Sequence, residues 1–246
     1  MSPSANIDFA NVAVLEQDAS PSSLLSRLHP LRMAYILEQW QRNVKGATLP
    51  KERPLSGVRV LDVGCGRGLI AASLARLGAD ATAIDVSADT LTRARNYAQF
   101  HGLAIDYRKQ TIEELASESQ DHRYDMVIHC EVIEHIPEPR SFMRACLQVT
   151  KAGGLQILST PNRSWASYLV MIVLAEQGVG WLAQGSHDWQ RFITPTEMRA
   201  LVRECSAQLG VNAQVVDERG VTFDIMRRQF RLSDDKQVNY FMTLKL

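Results

Sequence analysis

Hydrophobic positions along most of the chain fall into two alternating signatures: short apolar runs that end at glycines or an acid, and longer stretches with apolar residues every three or four positions. Val58 to Val63 is the first such run, and helical spacing follows over Leu69 to Leu77. Ala81 to Ile84 is a second strand closed by Asp85; Ser87 then caps a helix predicted to reach about His101, with Gly102 as its stop. Asp106 to Lys109, Met126 to His129 and Leu155 to Leu158 read as the third, fourth and fifth strands. Between the last two lies a helix from about Pro139 to Val149, ended by Ala152-Gly153-Gly154. Thr194-Pro195-Thr196-Glu197 combines an N-cap, a first-turn proline and a Glu three residues on, so a helix is predicted from there to about Leu209. Val215-Val216 and Val238 to Leu244 supply the last strands, the final one alternating as an edge or hairpin strand does. Strands spaced by helical patterns predict an α/β fold: a mostly parallel, seven-stranded sheet with helices on both faces and an antiparallel last strand.

Upstream the pattern is weaker. Met1 to about Ser23 shows little periodicity, whereas Leu24, Leu25, Leu28, Leu31, Ala34, Tyr35 and Leu37 recur at helical spacing, interrupted by His29-Pro30. Lys45 to Ser56, with Gly46, Pro50 and Pro54, is a linker by composition. The expected organisation is therefore a tail and helical flap over 1–56 and a main domain over 57–246, with an insert at 162–190.

Composition narrows the classes. With 246 residues, 46% of them hydrophobic, the chain can bury one large core without disulfide or metal staples. The 27 Lys+Arg balance 27 Asp+Glu, which argues against intrinsic disorder and against a basic nucleic-acid module. Cys65, Cys130, Cys146 and Cys205 lie far apart with no structural-zinc spacing, as expected in a reducing compartment. The first residues match neither a signal peptide nor a transit peptide, so the protein is expected to stay where it is made unless a targeting segment lies outside this sequence.

Leu61-Asp62-Val63-Gly64-Cys65-Gly66-Arg67-Gly68 sits where the first strand should turn into the first helix of the main domain. Glycines there let the backbone approach a ligand, and the helix start offers free N–H groups. Asp85, 21 residues after Gly64, is placed to accept two ribose hydroxyls. The dinucleotide fingerprint is G-x-G-x-x-G, but here the order is G-x-G-x-G, preceded by acidic Asp62. An acid beside the loop suits a ligand with an ammonium group better than a pyrophosphate. S-adenosylmethionine has that ammonium, a ribose and no phosphate; a class I S-adenosylmethionine-dependent methyltransferase with a Rossmann-like fold is the reading, and a nicotinamide oxidoreductase the weaker alternative.

At the end of the fourth strand stands Cys130-Glu131-Val132-Ile133-Glu134-His135, at the sheet edge that faces the ligand crevice. If the segment coils, Glu131, Glu134 and His135 stand at i, i+3 and i+4 and share one face. That set suggests a hard divalent ion, Mg²⁺ or Mn²⁺, with His135 as ligand or as the base for a phenol proton. Glu-His before a proline turn also occurs in methyltransferases that use no metal, so the bland reading of Glu134-His135 stands beside this one. An Asn/Asp-Pro-Pro-aromatic run, expected for methylation of nucleic-acid bases, is absent.

Between the fifth strand and the Thr194 cap, Leu169 to Ala175 is seven uninterrupted apolar residues, flanked by Arg163, Trp165, Tyr168 and Trp181. It is far short of the roughly 20 residues that span a bilayer. A buried core helix is the bland reading, and an element lying in the headgroup region of a membrane is the other.

Taken together, His29-Pro-Leu-Arg32, the glycine loop, Glu131-Val-Ile-Glu-His135, Ser159-Thr-Pro-Asn162-Arg163, Gly185-Ser-His-Asp188 and Val238-Asn239-Tyr240 resemble the ubiquinone-biosynthesis O-methyltransferases over about Leu28 to Leu246. That family methylates polyprenylated catechols, polyprenyldihydroxybenzoate and demethylubiquinol. The resemblance implies S-adenosylmethionine contacts at Arg32, Gly64, Asp85 and Cys130, alongside Asp62, Gly66 and Gly68 read from the loop, and Mg²⁺ ligands at Glu131, Glu134 and His135. It also implies peripheral membrane attachment through residues 165–182, on the mitochondrial inner membrane of a eukaryote or the cytoplasmic face of a bacterial inner membrane. Other quinone-biosynthesis enzymes are expected partners, and nucleic acid is not. The family's paired tryptophan upstream of Arg32 is missing here, where the region reads Ala13-Val-Leu-Glu-Gln-Asp18. The expected chemistry is attack of a catechol oxygen on the sulfonium methyl, with Glu131, Glu134 and His135 as catalytic residues. A metal-independent small-molecule O-methyltransferase and a non-catalytic scaffold that binds quinone precursors are the alternatives.

Overall fold

The computed structural model describes residues 24–44, 53–118, 123–168, 188–224 and 229–246. Its first element, α1 (Leu24–Asn43), runs straight through Pro30 where the sequence suggests an interruption. Met33, Ile36, Leu37 and Trp40 of α1 are buried in one cluster with Val60, Ile70, Leu74 and Ile157, and this docking outweighs the proline's local cost.

The main fold then alternates as expected: β1 (Arg59–Val63), α2 (Leu69–Arg76), β2 (Asp80–Asp85), α3 (Ala88–Phe100), β3 (Ile105–Lys109), α4 (Ile112–Glu118), β4 (Tyr124–Cys130), α5 (Pro139–Val149) and β5 (Thr150–Pro161). After them come α6 (Pro195–Leu209), β6 (Gln214–Asp224), β7 (Gln229–Ser233) and β8 (Asn239–Lys245). The predicted caps form: Ser87 accepts from the Thr90 N–H, and Thr194 and Glu197 close a reciprocal capping box. Helix α4 was not foreseen.

The sheet has eight strands rather than seven, in the order β3-β2-β1-β4-β5-β8-β6-β7. The first five in that order are parallel, while β8 is antiparallel to both β5 and β6. Alternation along Val238 to Leu244 suggested an edge or hairpin strand, but β8 is internal, between β5 and β6, and buried from Asn239 to Leu244. Its apolar residues serve both faces: Tyr240, Met242 and Leu244 pack with α5 and α6, and Phe241 packs with α1. The polar positions between them are buried and bonded, Thr243 to the Tyr35 hydroxyl at 2.9 Å and Asn239 to Glu131 at 3.1 Å. The edge belongs to β7, a hairpin partner of β6 that the sequence reading missed.

Candidate active site

The C-terminal ends of β1, β2, β4 and β5 meet at one edge of the sheet. After β1 the chain turns through Gly64, Gly66 and Gly68, at φ of 67°, 53° and 77°, a region that disfavours side chains. A Cβ on Gly64 would lie 2.6 Å from Val132 Cγ2, so the glycine loop rests directly against the segment that follows β4. At Gly66 an added Cβ would meet no atom within 4 Å, which leaves that side of the loop open.

Asp62 is buried beneath this loop, where Oδ2 accepts the Ala71 N–H of α2 at 3.1 Å. Burial pushes its carboxyl up to about 7, opposed by that N–H and by the Arg32 charge. Asp85 bridges the loop and the start of α3, accepting the Gly66 N–H at 2.8 Å through Oδ2 and the Ser87 N–H at 2.8 Å through Oδ1. Beside it Val86 stands 65% exposed, an apolar surface the sequence reading did not single out. From α1, His29 bonds Ser73 of α2 at 2.8 Å; burial and then the Arg32 charge push its pKa down to about 4, so it anchors α1 as a neutral ring. Three residues on, the Arg32 guanidinium is buried and reaches Glu131 at 3.2 Å.

Glu131 has a φ of 57°, the one non-glycine in the left-handed region among the described residues, a conformation that costs an L-residue about 1–2 kcal/mol. Its surroundings hold it there. The backbone N–H donates to Ser159 O at 2.9 Å, Ser159 Oγ donates to Oε1 at 2.7 Å, and Asn239 Nδ2 donates to both carboxylate oxygens at 3.1 Å. Glu134 is 3% exposed; its Oε2 accepts from Thr160 Oγ1 at 2.9 Å, while Oε1 is buried without a hydrogen-bond partner among the described residues. Burial, and then the Glu131 charge, push its carboxyl up to about 8. Cys130, next to Glu131, has its thiol pushed up to about 12 by burial, so it stays protonated.

The expected sharing of one face by Glu131, Glu134 and His135 fails for a geometric reason. The turn is a 3-10 helix over Ile133–His135, with three residues per turn, and Glu131 stands before it in left-handed backbone. Glu134 therefore enters the core while His135 is exposed. Among the described residues no group of three His, Cys, Asp or Glu side chains is assembled to hold a metal ion. The donor chemistry also disagrees, because Glu131 is already taken by a guanidinium and two further donors. The arrangement does not fit Mg²⁺, and no step below depends on the ion. Ser159, Thr160 and Asn239 stand in segments that carry the family resemblance, but the sequence assigned them no role, since their partners are reached only through strands that pair across the sheet.

S-adenosylmethionine is a better match for the residues present. The open face at Gly66, the Asp85 carboxylate beside exposed Val86, and buried Arg32, whose Nε lacks a hydrogen-bond partner among the described residues, offer a place for its adenosine and its carboxylate.

The insert is described only at its ends, and Leu169 to Ala175 and Trp181 lie outside the described residues. Ser164 caps a single helical turn, Trp165–Ser167. Trp165 is 77% exposed and forms a cluster with Tyr168 and Trp189, ring centroids 5.9–6.2 Å apart. No described helix is long and apolar enough to cross a membrane.

Comparison with known proteins agrees with this geometry. Residues 61–158 match the family described as a methyltransferase domain. The crystal structure of magnesium protoporphyrin IX methyltransferase from Synechocystis PCC 6803 with bound SAH shares the fold at a TM-score of 0.61 and 15% identity, over 96% of this chain and 93% of that one. Sheet order, glycine cradle and the acid closing β2 thus define a class I S-adenosylmethionine-dependent methyltransferase. Two curated relatives narrow the class. The ubiquinone biosynthesis O-methyltransferase of Methylocella silvestris is 40% identical over 226 residues, 90% of this chain and 85% of its own. That of Cereibacter sphaeroides is 39% identical over 248 residues, 98% and 97%. The chain belongs to the ubiquinone biosynthesis O-methyltransferase family and is an S-adenosylmethionine-dependent O-methyltransferase.

Proposed function

We propose that the protein methylates a hydroxyl of a polyprenylated catechol in ubiquinone synthesis, polyprenyldihydroxybenzoate or demethylubiquinol. The observation that carries this reading is Glu134 Oε1, a buried carboxyl oxygen with no donor among the described residues, in a segment that packs on the glycine loop through Val132. When bound, S-adenosylmethionine supplies a methyl group already activated on sulfur. The protein then has to align the reactants, an effect worth up to about 7–11 kcal/mol, and take a phenol proton. Glu134 Oε1 accepts the proton of the hydroxyl to be methylated, which would leave the phenolic oxygen free to take the methyl group as the cofactor leaves as a neutral thioether. Arg32, Asp62, Gly64, Gly66, Gly68, Asp85 and Cys130 surround the cofactor, with Asp85 exchanging its backbone partners for ribose hydroxyls. Glu131 holds Arg32 and Asn239 beside the reacting centre, and His135 stands at the exposed entrance.

The test is calorimetric titration with S-adenosylhomocysteine followed by methyl transfer to a short-tailed catechol, with Mg²⁺ and with EDTA. Saturable binding and methyl-ether formation are expected; binding without transfer to any catechol would leave a scaffold. The pairing of Glu131 with Arg32 predicts comparable rates in the two buffers, and a rate lost in EDTA and restored by Mg²⁺ would show that the three residues regroup around an ion.

A greasy tail calls for a membrane. We assign peripheral contact to residues 165–182, supported by the exposed rings of Trp165 and Tyr168, which pack against half-buried Trp189. A cavity of about 430 Å³ is lined by Ile136, Ile193 and Leu201 but also by Arg140, Arg163 and Arg191, so it offers an isoprenoid chain apolar wall over only part of its surface. The quoted relatives are bacterial, which favours the cytoplasmic face of an inner membrane. In flotation with phosphatidylglycerol-containing vesicles, Trp165→Glu is expected to weaken binding about tenfold, as losing one buried aromatic does; flotation equal to wild type would refute the assignment.

A further inference from the structure

Strand β8 delivers to this site a side chain whose bonding is only half satisfied. Asn239 is 7% exposed, and its Nδ2 donates to both oxygens of Glu131. The amide orientation follows from chemistry: carboxylate oxygens held by Arg32 and Ser159 offer only acceptors, so the nitrogen faces them and Oδ1 faces away. That Oδ1 is buried with no hydrogen-bond partner among the described residues, as is Glu134 Oε1. Asn239 Oδ1 is an acceptor in any state and Glu134 Oε1 is one when its carboxyl is ionised; both belong to the cluster around Glu131, whose carboxylate Asn239 bonds and whose charge Glu134 feels. The nearby donors do not relieve them, because Ser159 is committed to Glu131 and Thr160 to the other oxygen of Glu134. Each orphan is costly to bury unless a ligand brings a donor. A ligand with two adjacent hydroxyls brings two.

We propose that Asn239 is a specificity-determining residue: its Oδ1 accepts the hydroxyl adjacent to the one being methylated, while its Nδ2 holds Glu131 in left-handed backbone. The inference rests on the catechol reading above. It assigns to Glu134 the reacting oxygen and to Asn239 the spectator oxygen, so together they decide which of the two faces the methyl group. A phenol with one hydroxyl leaves Asn239 unsatisfied and is a poorer substrate.

The experiment uses an unsymmetrical short-tailed catechol and identifies both methyl ethers. Wild type is expected to give one regioisomer. Asn239→Leu, which loses acceptor and donor together, is expected to raise KM for the catechol about tenfold and to give both ethers, with unchanged affinity for S-adenosylhomocysteine. Ser159→Ala, which removes a different donor from Glu131, is expected to slow turnover and keep the single product. A single regioisomer at unchanged KM from Asn239→Leu overturns the proposal, as does mixed product from Ser159→Ala. Should Asn239→Leu lose cooperative melting, Asn239→Ser is read by the same two criteria. A wild type that methylates no catechol refutes the substrate reading itself, an outcome separate from these.

Discussion

Replacing Glu134 by Gln is expected to cut kcat by about 10²–10⁴-fold, the usual contribution of a positioned base, and to leave affinity for S-adenosylhomocysteine nearly unchanged. Gln retains an oxygen for the Thr160 hydroxyl, so the turn should keep its shape. The pH dependence makes the test sharper. With the Glu134 carboxyl held up at about 8, the ionised form that takes the proton grows as pH rises through that value, and wild-type rates should climb with it. The variant has nothing to titrate there, and its residual rate should lose that rise. Stability runs the other way: a buried acid with a raised pKa binds its proton more tightly in the folded state, so stability falls as pH climbs from about 4.5 to about 8. Melting midpoints across that window should slope less in Glu134→Gln than in wild type. Wild-type kcat in the variant would remove Glu134 from the chemistry.

Gly68→Ala is expected to destabilise the protein by about 2–5 kcal/mol, from left-handed backbone at a φ of 77° and a Cβ driven into the Tyr107 hydroxyl. Gly66→Ala shares the first penalty at a φ of 53° but has open space around the new carbon, and should cost only about 1–2 kcal/mol. The Tyr107 hydroxyl is buried without a hydrogen-bond partner among the described residues, so Tyr107→Phe alone should be nearly neutral. Combined with Gly68→Ala it should recover the collision share and not the backbone share. Chemical denaturation of the four variants reads this directly, and equal costs at Gly66 and Gly68 would contradict the packing described.

Local patterning carried most of the fold because β1, β2, β4 and β5 hold apolar runs buried in the middle of the sheet, and because Ser87 and Thr194 announce their helices by side-chain chemistry that acts within three residues. Patterning misplaced β8 because Asn239 and Thr243 resemble the wet side of an edge strand. Their partners stand 108 and 208 residues away, beyond what local reading can register. The same distance hid the brace on Glu131. His135 was drawn into the site by assuming α-helical spacing where the chain makes a tighter turn. The turn through Gly64 and Gly68 and the placement of Asp62 and Asp85 at the ends of β1 and β2 were legible because the motif itself dictates backbone conformation there.

The internal position of β8 orders events during synthesis. The strands on either side of it, β5 and β6, are both made before it, so a growing chain exposes two unpaired strand edges until the last strand emerges. Through that interval Glu131 lacks the Asn239 amide that helps hold its backbone. Methyl-transfer competence is therefore among the last properties the chain acquires, and a ribosome stalled before residue 239 would hold a sticky, inactive intermediate in need of a chaperone.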